Sequence, residues 1–202
     1  MKKFIFISLF LLGLGALDAQ NLAVVPYKKA LPTIKNDGTI KTTDGKILKI
    51  EGFNDAETTI FFLVRHAEKD TSGGTNADLN PIGRGRAAIL PKILKKIKIS
   101  GVYSTDKPRT RNTAAPVAKA KGQTVVMYDV KKQAEFIKNL LNQGTGKRYF
   151  IVGHSNTIPQ MAYQILRGDE KPTADLADDE YARLFIVSVK KGKEAKVEVI
   201  NF

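Results

Sequence analysis

The chain has 202 residues, 43% of them hydrophobic, with 33 Lys and Arg against 20 Asp and Glu for a formal net charge of +13. That length suits one domain with a core large enough to enclose a site, and the positive excess favours anionic partners. The absence of cysteine excludes disulfides, thiolate metal centres and thiol catalysis, and two histidines are too few for an imidazole-rich metal site.

Residues 1–19 read as an export signal. Lys2 and Lys3 precede an apolar stretch from Phe4 to Leu14, and small residues then lead to a cleavage point after Ala19. The apolar run is short for a bilayer span, so a cleaved signal is expected rather than an anchor. The mature protein is then expected in the periplasm or secreted. The next segment, 20–57, alternates β-branched and polar residues and carries the turn signals Asp37-Gly38 and Asp44-Gly45. It predicts a β-hairpin or meander extending the main fold, too short to hold a core alone.

From Thr58 onward strands and helices alternate, and one domain is expected over 58–202. The continuous apolar run TTIFFLV predicts a strand covered on both faces. Pro81 to Lys98 repeats Leu90, Ile93, Leu94 and Ile97 at helical spacing, with Lys92, Lys95, Lys96 and Lys98 on a solvated face. GVYST, QTVVMY and RYFIVG read as further strands, and Pro108 to Lys121, Lys132 to Asn142 and Thr157 to Leu166 as helices. Two last β segments, ARLFIVSV and AKVEVINF, read as a hairpin turning through Lys190 to Lys193. The fold class is therefore α/β: a three-layer α/β/α sandwich with a mostly parallel central sheet, plus the N-terminal β-hairpin extension.

Ligands of open α/β sheets gather at the carboxyl ends of the strands. There the sequence places Arg65-His66, Asp106 to Arg111, Asp129, and His154-Ser155-Asn156-Thr157, so that both histidines share one sheet edge with Arg65, Arg109 and Arg111. Arginine recognises phosphate through paired hydrogen bonds. Histidine can carry a covalent phosphoryl group, and phosphoryl transfer needs little beyond positioning and charge stabilisation. Nearby arginines would depress a histidine pKa and keep a nucleophilic nitrogen unprotonated near neutral pH. Two arginines, two histidines and one carboxylic acid complete a phosphotransfer site that calls for no metal or cofactor.

Four blocks in order, LVRHAEKD, LNPIGRGRA, VYSTDKPRTRNTA and VGHSNT, make the chain resemble the histidine phosphatase (phosphoglycerate-mutase-like) superfamily, branch 1. The resemblance spans about Thr58 to Leu166. It implies that His66 is the transiently phosphorylated nucleophile, that Arg65 and Arg109 bind phosphate, and that His154 helps hold the transferring group. Arg111 is a neighbour of open role. In LNPIGRGRA, Asn80 is expected to cap the following helix and Gly83 to permit close packing. The chain departs from the family at Ala67, commonly Gly, and at Thr105-Asp106, commonly Ser-Pro. The long insertion that often supplies a glutamate acid after the third strand is missing. Asp129 is then the first candidate for the general acid and Glu68 the second, although a good leaving group would need little protonation. The function implied is an exported phosphatase of phosphomonoesters or similar groups. Its expected partner is a phosphorylated small molecule or an envelope glycan or lipid, not nucleic acid, with no stable membrane insertion after signal cleavage. A phosphomutase and a noncatalytic phosphate-binding module are the alternatives.

Overall fold

The computed structural model describes residues 30–168 and 174–202. The export-signal reading of 1–19 lies outside them, as does the first part of the extension. Three short strands, β1 (Thr33–Ile34), β2 (Thr39–Lys41) and β3 (Ile47–Lys49), form an antiparallel meander. Its two turns are those expected from the sequence, with Gly38 and Gly45 at φ 82° and 86°, a region that glycine enters without steric cost. The extension is a three-stranded sheet rather than a lone hairpin, and it joins the core of the domain. Ile34, Ile40, Ile50 and Phe53 pack into the cluster beneath α1 (Pro81–Ile93) and α2 (Pro108–Ala120). Arg148 covers the Phe53 ring at 4.5 Å.

The central sheet has six strands in the order β6-β5-β7-β4-β8-β9. These are β4 (Thr58–Arg65), β5 (Gly101–Ser104), β6 (Val125–Met127), β7 (Arg148–Gly153), β8 (Arg183–Lys190) and β9 (Lys196–Asn201). The first four neighbours in that order run parallel, and β8 and β9 close the sheet as an antiparallel hairpin. Every residue of β4 is buried, as a continuous apolar run requires. Its side chains alternate between two cores. Ile60, Phe62 and Val64 face α1 and α2, whereas Phe61 and Leu63 face α3 (Gln133–Asn142) and α4 (Thr157–Arg167). This makes the three layers.

Helix α1 ends at Ile93, five residues short of the span that its apolar spacing suggests. Leu94 and Ile97 remain buried, but the chain has already turned, and the Lys121 ammonium donates to Leu94 O at 2.7 Å and Lys95 O at 3.1 Å. Lys92, Lys95, Lys96 and Lys98 lie on the solvent side, as expected of a solvated face. Among the described residues no helix is long and apolar enough to cross a membrane.

Candidate active site

Register sets the site. β4 pairs with β7 so that Arg65 lies opposite Gly153, and His66 N–H donates to Gly153 O at 2.9 Å. The next residue on each chain segment, His66 or His154, leaves the same sheet edge, and the two rings stand 5.6 Å apart at 69°. Gly153 is needed for this approach. A Cβ there would lie 2.8 Å from Thr157 Oγ1 and 3.0 Å from Tyr128 Oη. Thr157 opens α4 and accepts the His154 N–H at 2.9 Å.

His66 is 4% exposed, and its Nδ1 lies 2.8 Å from Ala67 O. A carbonyl only accepts, so Nδ1 carries the proton and Nε2 keeps its lone pair. Burial lowers the His66 pKa to about 3. The bond to Ala67 opposes that shift, and the charges of Arg109, His154 and Arg65 add to it. The loop carrying this ring is pinned from two sides. Ala67 N–H donates to Thr113 Oγ1 at 3.0 Å, and Thr113 in turn donates to Arg109 O at 2.7 Å. From α1, Asn80 N–H donates to Glu68 O at 3.0 Å while its side chain caps Gly83 N–H at 2.8 Å. A Cβ on Gly83 would fall 2.1 Å from Glu68 O, so both structural roles expected of LNPIGRGRA hold.

The charges of two arginines act on both imidazoles. Arg65, 5% exposed, donates through Nη1 to Ala177 O at 2.7 Å and Asp178 O at 3.1 Å. Arg109 stands in the first turn of α2 and donates to Thr75 O at 2.9 Å. Its pKa is lowered by burial and by Arg65. Among the described residues neither arginine meets a carboxylate. The Nε of each is buried and has no hydrogen-bond partner among the described residues. Buried charged donors left unpaired are strongly unfavourable, and an oxyanion is the group that would satisfy both. His154 completes the set. Its Nε2 lies 2.9 Å from Thr105 Oγ1, and burial, then Arg109, Lys107 and Arg65, lower its pKa to about 4.

The acid candidates separate. Asp129 follows β6 and accepts the Lys131 N–H at 2.9 Å. It lines a cavity of about 390 Å³ with His154, Thr105, Lys107 and Met127. Glu68 is directed elsewhere: the Arg86 guanidinium grips both carboxylate oxygens at 2.6 to 2.9 Å. It braces the loop carrying His66 against α1, and its oxygens are not offered to the pocket. Arg111 pairs with Asp106 at 2.6 Å on the exposed surface and does not join Arg65 and Arg109.

Sequence reading missed the roles of Thr105, Thr113 and the segment around Tyr181. The threonines lie inside motif blocks but gain their roles from partners 49 and 46 residues away. Tyr181 follows an acidic stretch of sequence that carries no periodic signal.

Fold and site define an α/β sandwich with two imidazoles at one sheet edge and, near them, two guanidinium groups that meet no carboxylate among the described residues. The model of the histidine phosphatase superfamily (branch 1) matches residues 61–131, the stretch holding Arg65, His66, Arg109 and Asp129. Solved structures share the fold. The protein histidine phosphatase SixA in complex with tungstate is 14% identical, with 70% of this chain and 96% of that chain covered and a TM-score of 0.57. The mycobacterial glucosyl-3-phosphoglycerate phosphatase is 13% identical, covering 71% and 99%, with a TM-score of 0.60. The phosphoserine phosphatase of Entamoeba histolytica, in complex with 3-phosphoglyceric acid, is 15% identical, covering 71% and 97%, with a TM-score of 0.54. No curated protein matches the chain by sequence.

Proposed function

We propose that this protein is a phosphatase that hydrolyses phosphomonoesters, or similar phosphorylated groups, through a phosphohistidine on His66. One observation carries the reading: an imidazole with its Nδ1 proton held by Ala67 O lies within the fields of two guanidinium groups whose buried Nε donors have no partner among the described residues. The phosphoryl oxygens take those donors and the second imidazole. His66 Nε2 attacks phosphorus, an N–P bond forms, and the P–O bond to the leaving group breaks with its electron pair on oxygen. Two carboxyl groups line the cavity beside His154, and Asp129 protonates that oxygen, since Asp106 is held by Arg111. Water then attacks phosphorus, the N–P bond breaks, and inorganic phosphate leaves. Hydrolysis is favoured over a mutase because the cavity is rimmed by exposed Met127, Asp129 and Val130, which water reaches freely.

The signal-like residues 1–19 support action outside the cytoplasm, and the charge of +13 suits a phosphorylated small molecule or an anionic envelope glycan or lipid as substrate. The test is hydrolysis of a generic aryl phosphate by the purified mature protein in the presence of chelator, compared with His66→Ala. Turnover that disappears in the variant is expected. Phosphate binding without turnover, across pH and a range of phosphomonoesters, would replace this reading with a noncatalytic binding module.

A further inference from the structure

The segment from Leu176 to Tyr181 forms a wall of the site that no family motif contains. Leu176 N–H donates to Ser155 O at 3.0 Å, which ties the segment to the residue after His154. Two of its carbonyls, Ala177 O and Asp178 O, then consume Nη1 of Arg65. The Tyr181 ring lies against the flat face of that guanidinium, 4.1 Å from its central carbon, and 6.1 Å from the His66 ring. Glu180 holds the turn by accepting Ala177 N–H at 2.8 Å and pairing with Arg183. A guanidinium fixed at one end by carbonyls and on one face by an aromatic ring has a single orientation left. In that orientation its Nε is buried and has no partner among the described residues.

We infer that Tyr181 is a positioning residue for phosphate recognition: its ring fixes Arg65 so that the free Nε edge addresses the anion held against His66. The inference rests on the proposed phosphate site and deepens it. A planar cation on an aromatic face is held by electrostatic attraction to the ring and by contact area, and neither needs the hydroxyl. Phe should therefore substitute for Tyr, and Ala should not. Orienting a donor in advance spares the anion the entropy of ordering it, so the loss should appear in anion affinity.

The experiment titrates the mature protein with inorganic phosphate by calorimetry, in a buffer free of other multivalent anions, for the unmutated chain, Tyr181→Ala and Tyr181→Phe. Thermal unfolding of each is followed alongside. Tyr181→Ala is expected to weaken phosphate about tenfold, equivalent to about 1.4 kcal/mol, with Tyr181→Phe within about twofold of the unmutated protein. Arg65→Ala, combined with Tyr181→Ala, should weaken binding no further than Arg65→Ala alone, because the ring acts through Arg65. Affinity unchanged in Tyr181→Ala would overturn the inference and leave the site reading intact, as would Phe failing to restore it or additive losses in the double variant. Absence of phosphate binding in the unmutated protein would overturn both.

Discussion

Gly83→Ala sets two physical effects of opposite sign against each other. Gly83 stands in the first turn of α1, where exchanging glycine for alanine raises intrinsic helix stability by about 1 kcal/mol. The added Cβ, however, would lie 2.1 Å from Glu68 O and 2.9 Å from Glu68 N, both backbone atoms without a flexible end to yield. Helix and loop must part by about 1.5 Å to reach ordinary contact. That motion breaks the Asn80 N–H bond to Glu68 O and loosens the Asn80 cap on Gly83 N–H, at about 1 kcal/mol each. Overpacking strain contributes a further ~1–3 kcal/mol. The net expectation is a destabilisation of roughly 2–4 kcal/mol, or a fall in Tm of about 4–16 °C for a domain of this size. Because Glu68 is two residues from His66, kcat should fall by more than about tenfold, as misplacement by about 1 Å does elsewhere. Thermal unfolding and aryl phosphatase assays on the same preparation read both effects. A Tm that rises by a few degrees with activity retained would show that helix propensity wins and that the loop is not clamped as described.

Further expectations concern the acid, the pH response and the arginines. Glu68→Gln should lower Tm by several degrees through the weakened Arg86 brace while leaving the basic limb of the pH–rate profile in place, whereas Asp129→Asn should lower that limb for poor leaving groups and spare aryl phosphates. In the folded protein His66 and His154 stay neutral down to about pH 3 and 4, while the unfolded chain protonates near pH 6.5. Their contribution is thus fully present above pH 6.5 and is lost as pH falls, by up to about 1.4 kcal/mol per unit for each ring. Denaturant titrations at pH 7 and pH 5 in phosphate-free buffer should therefore show His66→Gln losing about 2 kcal/mol less than the unmutated protein, and equal losses would refute the depressed pKa. Arg109→Lys should weaken phosphate by about tenfold or more despite the retained charge, because one ammonium cannot reproduce the guanidinium fork.

Much of the fold and site was legible in residues that act locally. The uninterrupted TTIFFLV announced a strand buried on both faces, and Asp-Gly pairs announced turns. Because the strands are parallel, their carboxyl ends share one edge, and the residues just past those ends gathered Arg65, His66, Arg109, Asp129 and His154 there. Features that escaped depend on partners far along the chain. Glu68 looked like an acid because it lies just beyond His66, but Arg86, a turn and a half into α1, claims it. Tyr181 carries no pattern of its own and matters only because β8 runs antiparallel to β4 and brings the segment before it to Arg65. Helix α1 ended early for a similar reason: Lys121, from the end of α2, takes the carbonyls that a further turn would have used.

The central claim is that His66 carries the phosphoryl group in turnover. Rapid alkaline quenching during hydrolysis of a labelled phosphomonoester, with peptide mapping of the quenched protein, tests it most directly. Label is expected on the peptide containing His66, lost on brief acid treatment and absent from His66→Ala. Label on His154, or brisk turnover with no phosphoenzyme and full activity in His66→Ala, would contradict the claim.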